Sequence, residues 1–87
     1  MKAVITVIGK DTTGILAAVS MVCAEKDCNV IDVTQSVLDG YFCMIMIIEV
    51  LEENHEIKEI ETSIVEAVPK MVVHVMHEDI FNLMHRI

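Results

Sequence analysis

The dipeptide Asp39-Gly40 constrains the fold of this chain more than any other short feature. Both positions accept positive φ angles, and the pair stands between two runs rich in β-branched and aromatic residues, 30–38 and 41–51. An Asp-Gly turn flanked in this way is typical of a tight β-hairpin. The sequence therefore predicts two antiparallel, neighbouring strands near the middle of the chain.

The segment before this hairpin has the pattern of a strand followed by a helix. Residues 2–8 are rich in β-branched side chains, which favour a buried strand. From residue 14 to about residue 27, apolar side chains recur at the spacing of one helix face. We expect Asn29 to mark the end of this helix, because asparagine tolerates the left-handed conformation found there.

The segment after the hairpin repeats this pattern in reverse order. Apolar residues from 57 onward predict a second amphipathic helix, which Pro69 ends, and residues 71–76 alternate as a fourth strand. Residues 80–87 suggest a short C-terminal helix. Six glutamates are expected on or near the solvent side of the second helix: Glu52, Glu53, Glu56, Glu59, Glu61 and Glu66.

The order β-α-β-β-α-β predicts an α+β protein with a ferredoxin-like βαββαβ sandwich. In that fold a four-stranded antiparallel sheet carries two helices on one face. We expect one domain over residues 1–87, with a core at 1–77 and a helical tail at 78–87.

Strand 3 is apolar on both of its sides, so one apolar row faces away from the two helices. The first row comprises Tyr41, Cys43, Ile45 and Ile47, and the second Phe42, Met44, Met46, Ile48 and Val50. A monomer would expose one of these rows unless something covered it. We favour burial in a symmetric dimer; the alternative is that the C-terminal tail folds over this face. Methionines more often fill a core, but Met44 and Met46 are candidates for an adaptable interface.

Charge and length exclude several classes of function. The 14 acidic residues outnumber the 6 lysines and arginines, and the net charge of −8 disfavours nucleic acid and anionic lipid. The longest apolar run, residues 41–48, is far shorter than the roughly 20 residues that span a bilayer as a helix. With no export signal and an odd number of cysteines, we expect reduced thiols and a cytoplasmic location.

The segment from Gly9 to Gly14 is the most promising site. Glycines allow the backbone to turn sharply near a ligand, and the following helix offers unpaired N–H groups to a carboxylate. Thr12 and Thr13 are expected as helix caps. The spacing of the glycines superficially resembles a phosphate-binding loop, but Ile15 and Leu16 stand where that motif requires Lys and Ser or Thr.

Metal binding and catalysis have little support in the sequence. His74 and His77 would point to opposite faces of a strand, and Cys23 and Cys28 lack the spacing of a metal carrier. No arrangement of nucleophile and base is recognisable, and Arg86 is the single arginine. We therefore predict no metal, no cofactor and no enzymatic activity.

Residues 9–16 and 28–32 resemble the opening half of an ACT domain, and the likeness in element order extends over residues 1–77. The resemblance implies a regulatory module that binds an amino acid or another small effector where two domains meet. By position, Gly14 matches the glycine of the ligand loop, Asp11 a polar contact and Asn29 an amide at the start of strand 2. The predicted ligand site comprises Gly9, Lys10, Asp11, Thr12, Thr13, Gly14, Ile15, Asn29, Val30 and Ile31.

Two functions remain open from the sequence. The first is a non-catalytic regulatory module that binds an amino acid or similar small carboxylate at a homodimer interface. The alternative is a protein–protein interaction module with no small effector, which docks through strand 3 or through the acidic second helix.

Overall fold

The computed structural model describes residues 1–51 and 56–85. The elements in these residues follow the predicted order and include the short C-terminal helix. They are β1 (Lys2–Lys10), α1 (Ile15–Glu25), β2 (Cys28–Leu38), β3 (Tyr41–Val50), α2 (Ile57–Ala67), β4 (Val72–His77) and α3 (Glu78–Met84). Glu52 and Glu53, predicted beside the second helix, lie outside the described residues.

The four strands form one antiparallel sheet in the order β2-β3-β1-β4. The predicted hairpin is confirmed, because Asp39 and Gly40 have φ angles of 52° and 80° and Leu38 pairs directly with Tyr41. The chain therefore has the ferredoxin-like βαββαβ arrangement, with α3 added at its end.

Helices α1 and α2 pack on one face of the sheet, and the even-numbered residues of β3 point toward them. Their cluster includes Val19 of α1 with Ile60 and Ile64 of α2, all fully buried. Met44 and Met46 belong to this row and are only 1% and 0% exposed. The expectation that they form an adaptable interface is therefore wrong, because the pleat of β3 turns them into the core.

The opposite face, here called the open face, carries the odd-numbered residues of β3 and the even-numbered residues of β1 and β4. Helix α3 lies over the β1–β4 side of this face. Val4 beneath it is 2% exposed, whereas Ile8 remains 50% exposed. The predicted alternative, in which the tail folds over this face, therefore holds for the β1–β4 side of the open face and not for the whole of it.

The end of α1 differs from the prediction. Asp27, with a φ angle of 55°, is the left-handed residue that follows the helix. Asn29 instead belongs to β2, which begins at Cys28 because Cys28 already pairs with Val50. The turn between the helix and the strand thus lies at residues 26–27, about two positions earlier than the sequence suggested.

The two outer strands have different surroundings. In β4, the backbone N–H of Val75 donates to Oε2 of Glu61 on α2 at 3.0 Å. Glu61 was expected on or near the solvent side of α2, but it turns toward β4 and is half-buried. In β2, every residue from Asn29 to Leu38 is exposed, and this outer side of the sheet is here called the β2 edge.

Candidate functional site

The loop between β1 and α1 ends at Gly14, which is the N-cap residue of α1. Gly14 has a φ angle of 88°, so an L side chain at this position would be strained. Its carbonyl accepts the N–H of Ala18 at 3.0 Å, and no side chain caps the helix. The expectation that Thr12 or Thr13 caps the helix is wrong, because the cap position falls one residue later.

The beginning of α1 is electropositive. The first turn contains no acidic residue, so its unpaired N–H groups and the positive end of the helix dipole are not neutralised within that turn. A carboxylate placed there would accept hydrogen bonds from the backbone without needing a dedicated side chain. This property agrees with the predicted role of the loop.

A cavity of about 270 Å³, here called the loop pocket, opens beside this helix end. Thr12, Thr13, Gly14, Ile15 and Ala18 form one wall. The segment that joins α2 to β4 forms the other wall: Ala67, Val68, Pro69, Lys70 and Met71. The pocket therefore combines two segments that are distant along the chain.

The second wall of the loop pocket and Ala18 are outside the predicted site, and Lys70 is the charged residue among the described residues of that wall. The sequence predicts Pro69 as the end of the second helix, but not as the turn that brings Lys70 to the beginning of α1. The ammonium group of Lys70 adds to the positive potential of the helix end. A signal was present in the sequence, since Lys70 directly follows the residue that ends α2.

Gly9 has a packing role in this arrangement. A Cβ atom at this position would lie 2.6 Å from Sδ and 3.2 Å from Cε of Met71. Glycine thus lets β1 approach the flexible end of the Met71 side chain closely, and Met71 itself lines the loop pocket.

Lys10 and Asp11 lie at the outer end of the loop, where both side chains are exposed. The backbone N–H of Asp11 donates to the carbonyl of Gly40 at 3.0 Å. The loop is thereby tied to the β2–β3 hairpin and lies next to the end of β2 at Leu38.

The other predicted part of the site, Asn29 to Ile31, lies at the opposite end of β2. At about 3.3 Å per residue, Asn29 and Leu38 are roughly 30 Å apart along an extended strand. Asn29 pairs with Glu49 and Val30 with Ile48, so their side chains point to opposite faces of the sheet. The register shifts at Ile31, and all three residues are exposed. Within one chain, these residues and the loop pocket do not form a single site.

Two of the three cysteines, Cys23 and Cys28, are buried thiols with raised pKa values. Burial raises the pKa of Cys23 to about 11, and a smaller contribution comes from neighbouring Cys28. Burial also raises the pKa of Cys28, with a smaller contribution from Asp27. Both thiols are therefore protonated near neutral pH.

His74 and His77 of β4 face opposite sides of the sheet, as predicted, since they pair with Thr6 and Ala3 respectively. Nδ1 of His77 accepts the N–H of Asp79 at 3.1 Å and so caps α3. Across residues 1–51 and 56–85, no group of three or more His, Cys, Asp or Glu side chains is placed to hold a metal ion.

None of the described helices is both long enough and apolar enough to cross a membrane.

Both the sequence and the fold of this chain are similar to those of known proteins. The ACT domain family matches residues 2–78. The chain is 42% identical to a UPF0237 protein of Listeria innocua over 89 residues, covering 100% of both chains. It superposes on an ACT domain protein from Streptococcus pneumoniae with a TM-score of 0.79 and 34% identity, covering 93% of both chains.

A more distant structure shares the fold alone. A formyltetrahydrofolate deformylase from Pseudomonas putida superposes with a TM-score of 0.77 at 12% identity, covering 88% of this chain but 29% of the enzyme. The same fold thus occurs as one part of a longer protein. Together with the match over residues 2–78 and the relatives of equal length, these likenesses show that the chain belongs to the ACT domain family.

Proposed function

We propose that this chain is a non-catalytic, cytoplasmic regulatory module whose homodimer binds an amino acid or similar small carboxylate between its subunits. The observation that carries this proposal is the exposed strand β2, whose two ends, Asn29 and Leu38, are roughly 30 Å apart within one chain. The loop before α1 is tied through Asp11 to the hairpin that follows Leu38, so a second subunit at the β2 edge would bring Asn29 of the partner subunit toward that loop.

The geometry of β2 favours a dimer that pairs two copies of this strand. The β2 edge is exposed from Asn29 to Leu38, and an unpaired strand edge is a template for pairing with another chain. Two β2 strands paired antiparallel about a two-fold axis near Val33 would form one continuous eight-stranded sheet. Asn29 of the partner subunit would then lie beside Val37 and Leu38.

This pairing would complete the predicted site twice in each dimer. Leu38 precedes the hairpin, and the hairpin carbonyl of Gly40 holds the loop through Asp11. The start of β2 from the partner subunit would therefore lie next to the loop of the first. Asn29 offers an amide that both donates and accepts hydrogen bonds at this position.

The charges around the loop suit a zwitterion. The beginning of α1 and Lys70 attract a carboxylate, while Asp11 at the outer end of the loop attracts an ammonium group. The loop pocket, at about 270 Å³, falls just below the usual size range of sites for drug-sized molecules. A single amino acid is thus of suitable size.

Regulation would follow from a ligand that contacts both subunits. Such a ligand binds one arrangement of the dimer more tightly than any other and so shifts the dimer toward it. A protein that recognises this arrangement would then respond to the concentration of the ligand.

A thermal-denaturation screen with each common amino acid and with small carboxylates tests the proposal. A ligand at 100 times its Kd adds about 2.7 kcal/mol to the free energy of unfolding. That increase raises the Tm by on the order of 10 °C for a domain of this size.

Lys70→Gln is the informative variant, and Lys58→Gln is its control. Both changes remove one lysine charge, but Lys58 is exposed on α2, away from the loop pocket. We expect the ligand-induced shift to shrink in Lys70→Gln and to persist in Lys58→Gln. No shift with any compound at about 10 mM contradicts an amino-acid or carboxylate site tighter than about 0.1 mM.

Protein docking remains a second proposal because the β2 edge offers its backbone to any extended strand. Val37, Leu38 and Tyr41 are more than half exposed at the end of this edge. A monomeric chain that binds none of the screened compounds would favour this function over the first.

A further inference from the structure

A cavity of about 540 Å³, here called the apolar cavity, lies between α3 and the open face. It is on the other side of the sheet from the loop pocket. Its floor is formed by Thr6, Ile8, Cys43, Ile45, His74 and Met76. Its roof is formed by Ile80, Phe81, Met84 and His85.

Helix α3 covers the cavity without filling it. Ile80 and Met84 line the cavity but are 52% and 64% exposed, and α3 contains no buried residue. The helix nevertheless has local order of its own. The rings of Phe81 and His85 stack with centroids 4.2 Å apart, and Nδ1 of His85 lies 3.0 Å from the carbonyl of Phe81. The roof is thus formed, while Ile80 and Met84 remain more than half exposed.

The lining is apolar with a few groups that can donate hydrogen bonds. Thr6, His74 and His85 are its polar side chains apart from the Cys43 thiol. None of the described residues that line the cavity is acidic, although the chain has 14 acidic residues and only 6 lysines and arginines. An anionic group is therefore not repelled at close range here as it would be over most of the surface.

We propose that the apolar cavity is a second binding site, which takes an apolar carboxylate such as a medium-chain fatty acid. The alkyl chain packs between Ile45 on the floor and Met84 on the roof, and the carboxylate accepts a hydrogen bond from His74. The cavity volume lies within the usual range of about 300 to 1,000 Å³ for small-molecule sites.

A small molecule suits this cavity better than a second copy of the chain. Two sheets that pack face to face need open, flat apolar surfaces. Here the chain's own α3 forms a roof, so the space between it and the open face is concave. The site also lies on the face opposite α1 and α2, so it does not depend on the ligand proposed for the loop pocket.

Titration with octanoate and with 1-octanol, followed by methyl NMR, tests the proposal. We expect octanoate to shift the methyl signals of Ile45, Ile80 and Met84 while leaving those of Ile60 and Ile64 in place. Octanoate is expected to bind about tenfold or more tightly than octanol, because a charged acceptor forms the stronger hydrogen bonds. Equal affinities for the two compounds, or shifts scattered over the whole surface, would overturn the assignment.

Two variants of the cavity sharpen this test. Ile45→Trp fills the floor, and we expect it to weaken octanoate binding about tenfold or more by occupying the site. Val65→Trp, an exposed position on α2, is the control and should leave binding unchanged. Met84→Trp fills the same cavity from the roof, and it replaces Ile45→Trp in this test if that variant does not fold.

His74→Phe tests the proposed head-group contact. Phenylalanine keeps the ring but cannot donate a hydrogen bond, so the preference for octanoate over octanol should fall. Unchanged octanoate affinity in both tryptophan variants would overturn the proposal. So would a tryptophan variant that changes the sedimentation of the protein instead, because a second copy would then be the occupant.

Discussion

The two outer strands of the sheet, β4 and β2, differ in how far their outer edges are covered by the rest of the chain. The edge strand β4 has six residues, and Glu61 from α2 accepts the outward N–H of Val75. The edge strand β2 has 11 residues and is exposed from Asn29 to Leu38. One edge is thus covered by the chain's own helix layer, whereas the other offers its backbone to the surroundings.

This difference indicates where a second subunit can add to the sheet. Proteins usually protect exposed strand edges, because unpaired backbone groups promote association. Here the protected edge is β4, so the strand that can pair with a second subunit to form one continuous sheet is β2. The same strand carries Asn29 at its start and leads to the hairpin that holds the loop at its end.

Like charge added at the β2 edge is expected to have the largest effect. With the two-fold axis near Val33, Thr34 lies opposite Asp32 of the partner subunit, so Thr34→Asp sets two carboxylates against each other on each side of the axis. We expect the Kd of the dimer to rise about tenfold or more, as measured by sedimentation equilibrium. Thr62→Asp makes the same substitution on the exposed side of α2 and should leave the dimer unchanged. Equal behaviour of the two variants would contradict pairing through β2.

Removal of the cover from β4 should have the next largest effect. Glu61→Ala leaves the N–H of Val75 without its acceptor, at a cost of about 1–3 kcal/mol in the free energy of unfolding. Glu61→Gln keeps an acceptor oxygen, so its free energy of unfolding should fall by less than that of Glu61→Ala. Glu66→Ala, on the exposed side of α2, is the control, with an expected change within about 0.5 kcal/mol. Urea unfolding curves measure all three, and a loss no greater than that of the control would show that the bond to Val75 contributes little.

A glycine substitution in the loop separates the stability of the loop from dimer formation. Gly14→Ala introduces a side chain at a φ angle of 88°, which costs about 1 kcal/mol. No atom lies within 4 Å of the added Cβ, so the cost is one of backbone strain. Gly14→Asn should be less costly, since asparagine tolerates this conformation. Urea unfolding curves measure the loss of stability in both variants. The Kd of the dimer should stay constant in both. A weaker dimer would show that the loop is part of the pairing surface.

The parts of the fold that sequence predicted correctly are those that local chemistry decides. The Asp39-Gly40 turn follows from the φ angles of these two residues. The alternation of β3 into two rows follows from the pleat of any strand. The element order follows from the change between helical and strand periodicity along the chain.

The parts that could not be predicted depend on contacts between distant segments. The pattern of β3 alone does not say which row faces the helices, so the core position of Met44 and Met46 could not be predicted from it. The bond from Val75 to Glu61 joins residues 14 positions apart, and Lys70 reaches the loop pocket only through the turn at Pro69. The distance between Asn29 and the loop likewise became clear only from the strand pairing.

A subunit-mixing experiment tests the central claim, that one ligand site is shared by two chains. Lys70→Gln impairs the loop and Asn29→Ala impairs the start of β2, so each variant alone should bind weakly the amino acid or carboxylate with the largest thermal shift. In a heterodimer of the two, one site combines an intact loop with an intact strand. Random mixing at equal amounts should therefore restore roughly one quarter of the wild-type sites, measured by calorimetry. A mixture that binds no more ligand than the separate variants would contradict the shared site.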